Sequence, residues 1–95
     1  MTSIALITGA SRGIGAATAL LAARQGWDIA VNYSANEGAA REGVQAVQAL
    51  GQRAIAVQAD VADEAQVLAM FAQVDAVLGR LRALVNNAGV VDRAQ

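Results

Sequence analysis

The chain contains no cysteine, no histidine, no proline and no lysine. Without cysteine there are no disulfides and no thiol chemistry, and nothing marks an oxidising compartment. Without histidine or cysteine, metal sites built from nitrogen or sulfur ligands are excluded. All seven basic residues are arginine, whose guanidinium stays protonated and makes a poor proton shuttle. Only three residues are aromatic, Trp27, Tyr33 and Phe71, against 24 alanines, so the elements must pack through small side chains.

Charge is also sparse. The formal net charge is −1 and charged residues make up 16% of the chain, with the arginines scattered, which leaves no electrostatic footprint for nucleic acid or an anionic membrane. Met1-Thr2-Ser3 carries no basic leader region, and the apolar run 16–23 is far too short to span a bilayer. A protein of the cytoplasm is the expectation. What is abundant is apolar: 56% of 95 residues are hydrophobic, a globular profile. A domain of this size buries only about two-thirds of the surface its unfolded chain exposes, so its stability margin is thin.

Short β-rich runs alternate with longer stretches of helical spacing, the pattern of β-α-β units around a parallel sheet. Strands are predicted over 4–8, 28–33, 54–58 and 83–85. The first is a near-continuous apolar run, as found where both sheet faces are covered. Between the strands lie three helices. The first covers 14–25, where Ile14, Ala17, Leu21 and Ala22 recur near helical spacing, and Gly26 suits a left-handed cap. Ser34 and Glu37 have capping-box spacing and open a second helix to about residue 50, with Val44 and Val47 inward and Gly51 as terminator. Asp63 with Gln66 caps the third, where Val67, Met70, Phe71, Val74, Val77 and Leu78 follow the i, i+3, i+4, i+7 rhythm. The fold class is α/β, a parallel sheet in the order 3-2-1-4 with right-handed crossovers.

The run Thr8-Gly9-Ala10-Ser11-Arg12-Gly13-Ile14-Gly15 leaves a predicted strand and opens a predicted helix. In that context Gly9 permits a tight turn, Gly13 lets backbone approach a pyrophosphate, and Gly15 lets helix pack on sheet. Unpaired amides at the helix N-terminus then favour an anion. The spacing G-x-x-x-G-x-G, with Asn86-Asn87-Ala88-Gly89 at the end of the fourth strand and Asp60-Val61 after the third, resembles the short-chain dehydrogenase/reductase family along the whole chain.

The resemblance implies a Rossmann-type doubly wound sheet. It also implies an oxidoreductase moving hydride between NAD(P)(H) and an alcohol or carbonyl compound, homo-oligomeric when complete. By position, Gly9, Ser11, Arg12, Gly13, Ile14 and Gly15 would surround the phosphates and adenosine ribose, Asp60 and Val61 the adenine, and Asn87, Ala88 and Gly89 the ribose on the nicotinamide side. At the end of the second strand stand Asn32, Tyr33 and Ser34 rather than the carboxylate that grips a ribose 2′-hydroxyl. With Arg12 beside Gly13, this favours NADP over NAD. Asp28 begins that strand, away from the cofactor, and is expected to be structural.

No catalytic residue is identified. Tyr33 is the only tyrosine, and Glu37 stands where the family's Tyr-x-x-x-Lys motif requires lysine, so Tyr33 is expected only at the cofactor's edge. Residues 1–95 thus read as the N-terminal part of a single NAD(P)-binding domain, the front of a full enzyme. The rival readings are a stand-alone dinucleotide-binding module and an inactive fragment whose fourth strand presents an apolar edge.

Overall fold

A computed structural model describes residues 3–9 and 13–86. Seven elements follow one another: β1 (Ile4–Thr8), α1 (Gly13–Arg24), β2 (Asp28–Tyr33), α2 (Glu37–Ala49), β3 (Ala54–Gln58), α3 (Glu64–Val77) and β4 (Ala83–Asn86). The strands form one sheet in the order β3-β2-β1-β4, and every pairing is parallel, with Ile4 opposite Asp28, Ala5 opposite Ala83 and Ile29 opposite Ala54.

Alternation along each strand divides the core in two, because successive side chains leave opposite faces of a sheet. On one face Ala5, Ile7, Ile29, Val31 and Tyr33 pack with Ala19 and Ala23 of α1 and with Ala40 and Val47 of α2. On the other, Ile4, Leu6, Ala30 and Val57 pack with Met70 and Val74 of α3 and with Leu78. β1 and β2 are buried at every position, which is why they read as apolar runs.

Helix α1 departs from the sequence pattern. Its buried residues are Gly15, Ala19 and Ala23, whereas Ile14 is 79% and Leu21 59% exposed. A helix apolar on nearly every side carries no phase information, and the stripe of smallest residues allows the closest approach to the sheet. In α3 the expected inward face holds at Met70, Val74 and Leu78, but Val77 is half exposed.

Helix starts show one agreement and one correction. Asp63 caps α3, its carboxylate accepting from the amides of Ala65 and Gln66. For α2 the cap is Asn36, not Ser34: Asn36 Oδ1 accepts from the Ala39 amide at 3.0 Å. Both residue types cap well, so the spacing alone misassigned the position by two residues. Asn36→Ala is expected to lower unfolding free energy by about 1 kcal/mol, while Ser34→Ala changes it by less than about 0.5 kcal/mol. Urea titrations of both variants decide between the two caps, and the reverse order would restore Ser34.

At the amino-terminal end of the sheet, Asp28 is 2% exposed. Its carboxylate accepts from Arg53 N at 2.9 Å, Arg53 Nε at 2.8 Å and Gln52 Nε2 at 3.0 Å. Arg53 also donates to the Leu78 carbonyl at 2.8 Å. The cluster joins the starts of β2 and β3 to the end of α3, the structural role expected of Asp28.

Candidate cofactor site

At the opposite, carboxyl end of the strands lies a hollow of about 290 Å³ lined by Gly9, Asn32, Ser34, Ala59, Asp60, Val61 and Ala62. In open parallel sheets this end is where ligands bind. The hollow thus gathers residues from the ends of β1, β2 and β3 that are far apart in sequence.

Each wall has a local cause. Gly9 turns out of β1 at φ 63° and Gly13 opens α1 at φ 66°, conformations costly for residues with a Cβ. A Cβ at Gly13 would meet no atom within 4 Å, so the constraint there is conformational and the space beside it is open. The Asp60 turn is pinned from two sides. The Asp60 amide donates to Gln66 Oε1 at 2.8 Å, and Asp60 Oδ1 accepts from the Ala62 amide at 2.9 Å. Gln66 Nε2 in turn donates to Asp63 Oδ2 at 3.2 Å, tying the loop to the first turn of α3. Gln58 Nε2 donates to the Ser34 carbonyl at 3.0 Å, which fastens the end of β2 to β3.

Asn32 is 2% exposed. Its Oδ1 accepts from the Gly9 amide at 3.2 Å, and its Nδ2 donates toward the carbonyls of Ala59 at 3.2 Å, Val57 at 3.3 Å and Tyr33 at 3.5 Å. The amide is therefore engaged with backbone on both sides while it lines the hollow. Tyr33 differs from expectation. It belongs to the core cluster facing α1 and α2 and is only 9% exposed.

Of the residues singled out from the sequence, Gly9, Asn32, Ser34, Asp60 and Val61 come together at the hollow. Gly13, Ile14 and Gly15 form the first turn of α1. Ser11, Arg12, Asn87, Ala88 and Gly89 lie outside the described residues. The sequence reading missed Ala59, Ala62 and Gln66. The alanines contribute backbone and leave no side-chain signal, while Gln66 was read only as a partner of Asp63. Beyond Val61, a second hollow of about 120 Å³ includes Thr8, Phe71, Leu84 and Asn86. There the Thr8 hydroxyl lies 3.1 Å from Asn86 Oδ1 and 3.3 Å from the Val85 carbonyl, fixing β4 to β1. Among the described residues, no three carboxylates, histidines or cysteines are grouped to hold a metal ion, and no helix is long and apolar enough to cross a membrane.

A parallel sheet ordered 3-2-1-4, with helices on both faces and a hollow at its carboxyl end, is a Rossmann-type α/β fold. Residues 3–95 match the family described as short chain dehydrogenase, and the chain belongs to that family, whose members bind NAD(P). Similar proteins include the uncharacterized oxidoreductase YgfF of Escherichia coli strain K12, 52% identical over 94% of this chain and 36% of its own length. The 3-oxoacyl-[acyl-carrier-protein] reductase FabG of Staphylococcus aureus is 47% identical over 95% of this chain and 37% of its own. Among solved structures, acetoin dehydrogenase from Enterobacter cloacae superposes with a TM-score of 0.87 at 40% identity, covering 94% of this chain and 35% of that one. The chain spans about a third of the length of these relatives.

Proposed function

We propose that residues 1–95 form the cofactor-binding part of an NAD(P)(H)-dependent oxidoreductase acting on an alcohol or carbonyl compound, with NADP(H) preferred. The observation carrying this reading is the hollow itself, where the turn after β1, the end of β2 and the Asp60 turn meet at the carboxyl end of a parallel sheet. The residues suit an adenosine dinucleotide. Gly9 and Gly13 hold backbone positions that favour glycine, the first amides of α1 suit an anion, and Asp60 and Val61, which line the hollow, would meet the edge and face of an adenine. When bound, the nicotinamide supplies or accepts the hydride.

The NADP preference rests on charge. Among the described residues lining the hollow the only ionisable side chain is Asp60, and no carboxylate ends β2 to repel a 2′-phosphate. Asp28, the one carboxylate on β2, is at the far end and engaged with Arg53. Arg12 would grip the phosphate with its planar fork.

Titration of a polypeptide of residues 1–95 with NADPH and with NADH, read by nicotinamide fluorescence, tests the proposal. Binding of NADPH at least about tenfold tighter than NADH is expected, the scale of one charged hydrogen bond. No substrate-dependent oxidation of NADPH is expected from the same sample, since the polypeptide has no lysine or histidine and its one tyrosine is in the core. Tighter NADH binding would reverse the preference. Failure to bind either cofactor would support the inert-fragment reading, and turnover would show that catalytic groups had been overlooked.

A further inference from the structure

Asparagine is an unfavourable choice inside a buried strand, and β2 otherwise reads Asp-Ile-Ala-Val-Tyr around it. A polar residue that breaks the local pattern at full burial needs a compensating reason. Here the reason is geometric. One side chain on β2 bridges the exits of the two strands that flank it, accepting from Gly9 after β1 and donating to Val57 near the end of β3 and to Ala59 beyond it. Its orientation is dictated by its partners, an N–H on one side and carbonyls on the other. An uncharged amide is the only neutral side chain of that length carrying both an acceptor and a two-hydrogen donor.

Both arms end on the walls of the hollow, because Gly9 and Ala59 line it together with Asn32 itself. We propose that Asn32 is a positioning residue for the nucleotide, setting the spacing between the Gly9 turn and the Ala59–Asp60 turn so that the hollow is preorganised before ligand arrives. This rests on the cofactor reading above and deepens it: Asn32 acts on the adenosine half through Gly9 and Ala59 and makes no contact of its own with phosphate. A preformed site avoids the ordering cost that a loose one meets on binding, so the effect appears as affinity.

The test uses the full-length protein with Asn32→Ala and Asn32→Thr. Threonine suits a strand and fills much of the space, but its hydroxyl is too short to bridge both arms. Arg53→Ala serves as a control for lost stability at the other end of the sheet. Affinities for ADP and for NADPH are measured well below each variant's melting temperature, and the Gly9 amide is followed by ¹H–¹⁵N correlation. Both Asn32 variants are expected to weaken ADP and NADPH by a similar factor, about tenfold for a buried amide left without its acceptor. The Gly9 amide resonance should shift in both. Arg53→Ala should lower the melting temperature yet leave both affinities and the Gly9 resonance unchanged. Wild-type affinity in Asn32→Thr, or an equal loss in Arg53→Ala, overturns the positioning role while leaving the cofactor reading intact. A wild-type protein that binds neither ADP, NADPH nor NADH overturns both.

Discussion

Asp28→Ala is expected to destabilise the fold by about 3 kcal/mol, a large part of the roughly 5–15 kcal/mol available to a domain. The carboxylate is buried and receives three hydrogen bonds, so its loss strands the Arg53 amide and removes one of the two acceptors of Gln52 Nε2, which keeps the Gly26 carbonyl at 2.9 Å. A buried donor without a partner costs about 1–3 kcal/mol. The guanidinium contributes less to the loss, because the Arg53 side chain is 57% exposed against 3% for Asp28 and water can serve it. The two partners are therefore unequal. Arg53→Ala keeps two of the three donors on the carboxylate and should cost roughly half as much. Urea unfolding at unchanged m-value gives both numbers, and a double-mutant cycle gives their coupling. A cost below about 1 kcal/mol for Asp28→Ala would show that water replaces the lost carboxylate and that the cluster is ornamental to stability.

Arg12→Ala should weaken NADPH by about 1.5–3 kcal/mol, the range for a charged hydrogen bond, which is roughly ten- to 150-fold. NADH should be nearly unaffected. The expectation follows from the proposed preference: a 2′-phosphate brings charge that only a cation near it can balance, and Arg12 adjoins Gly13, which opens α1. Arg12→Lys separates two contributions, since lysine keeps the charge and loses the bidentate fork. It should recover part of the affinity. Calorimetric titration at one fixed ionic strength reads all three proteins. Equal losses for the two cofactors would mean that Arg12 serves the shared pyrophosphate, and a wild-type preference for NADH would remove the premise.

Much of the architecture was legible because the strands are short apolar runs between clear breaks. The predicted limits of β1, β2 and β3 coincide with those observed, and β4 extends one residue further, to Asn86. The sheet order followed from the resemblance and from the βα rhythm. What failed was phase. In α1, alanines on every side hid which stripe faced the sheet, and in α2 two good capping residues stood two positions apart. At the site, the turn glycines were visible from their place between a strand and a helix, and the Asp60-Val61 pair only from the resemblance to the family. The part played by Asn32 was not, because hydrogen bonding to the backbone of two neighbouring strand exits depends on tertiary registration that spacing does not encode. Ala59 and Ala62 contribute only main chain and leave no trace in composition.

The single tryptophan, Trp27, sits half-buried just before β2 and packs against the α1–α2 core, while the hollow opens beyond Tyr33 at the other end of that strand. Six residues of strand separate them by about 20 Å. Its emission therefore responds to unfolding, with no ligand in the hollow stacked on the indole to quench it directly, and a cofactor bound as proposed would bring a reduced nicotinamide to the same end of the sheet as an acceptor for resonance energy transfer. One natural fluorophore thus gives two separable optical channels: direct excitation of the indole for the integrity of the fold, and sensitised nicotinamide emission for occupancy.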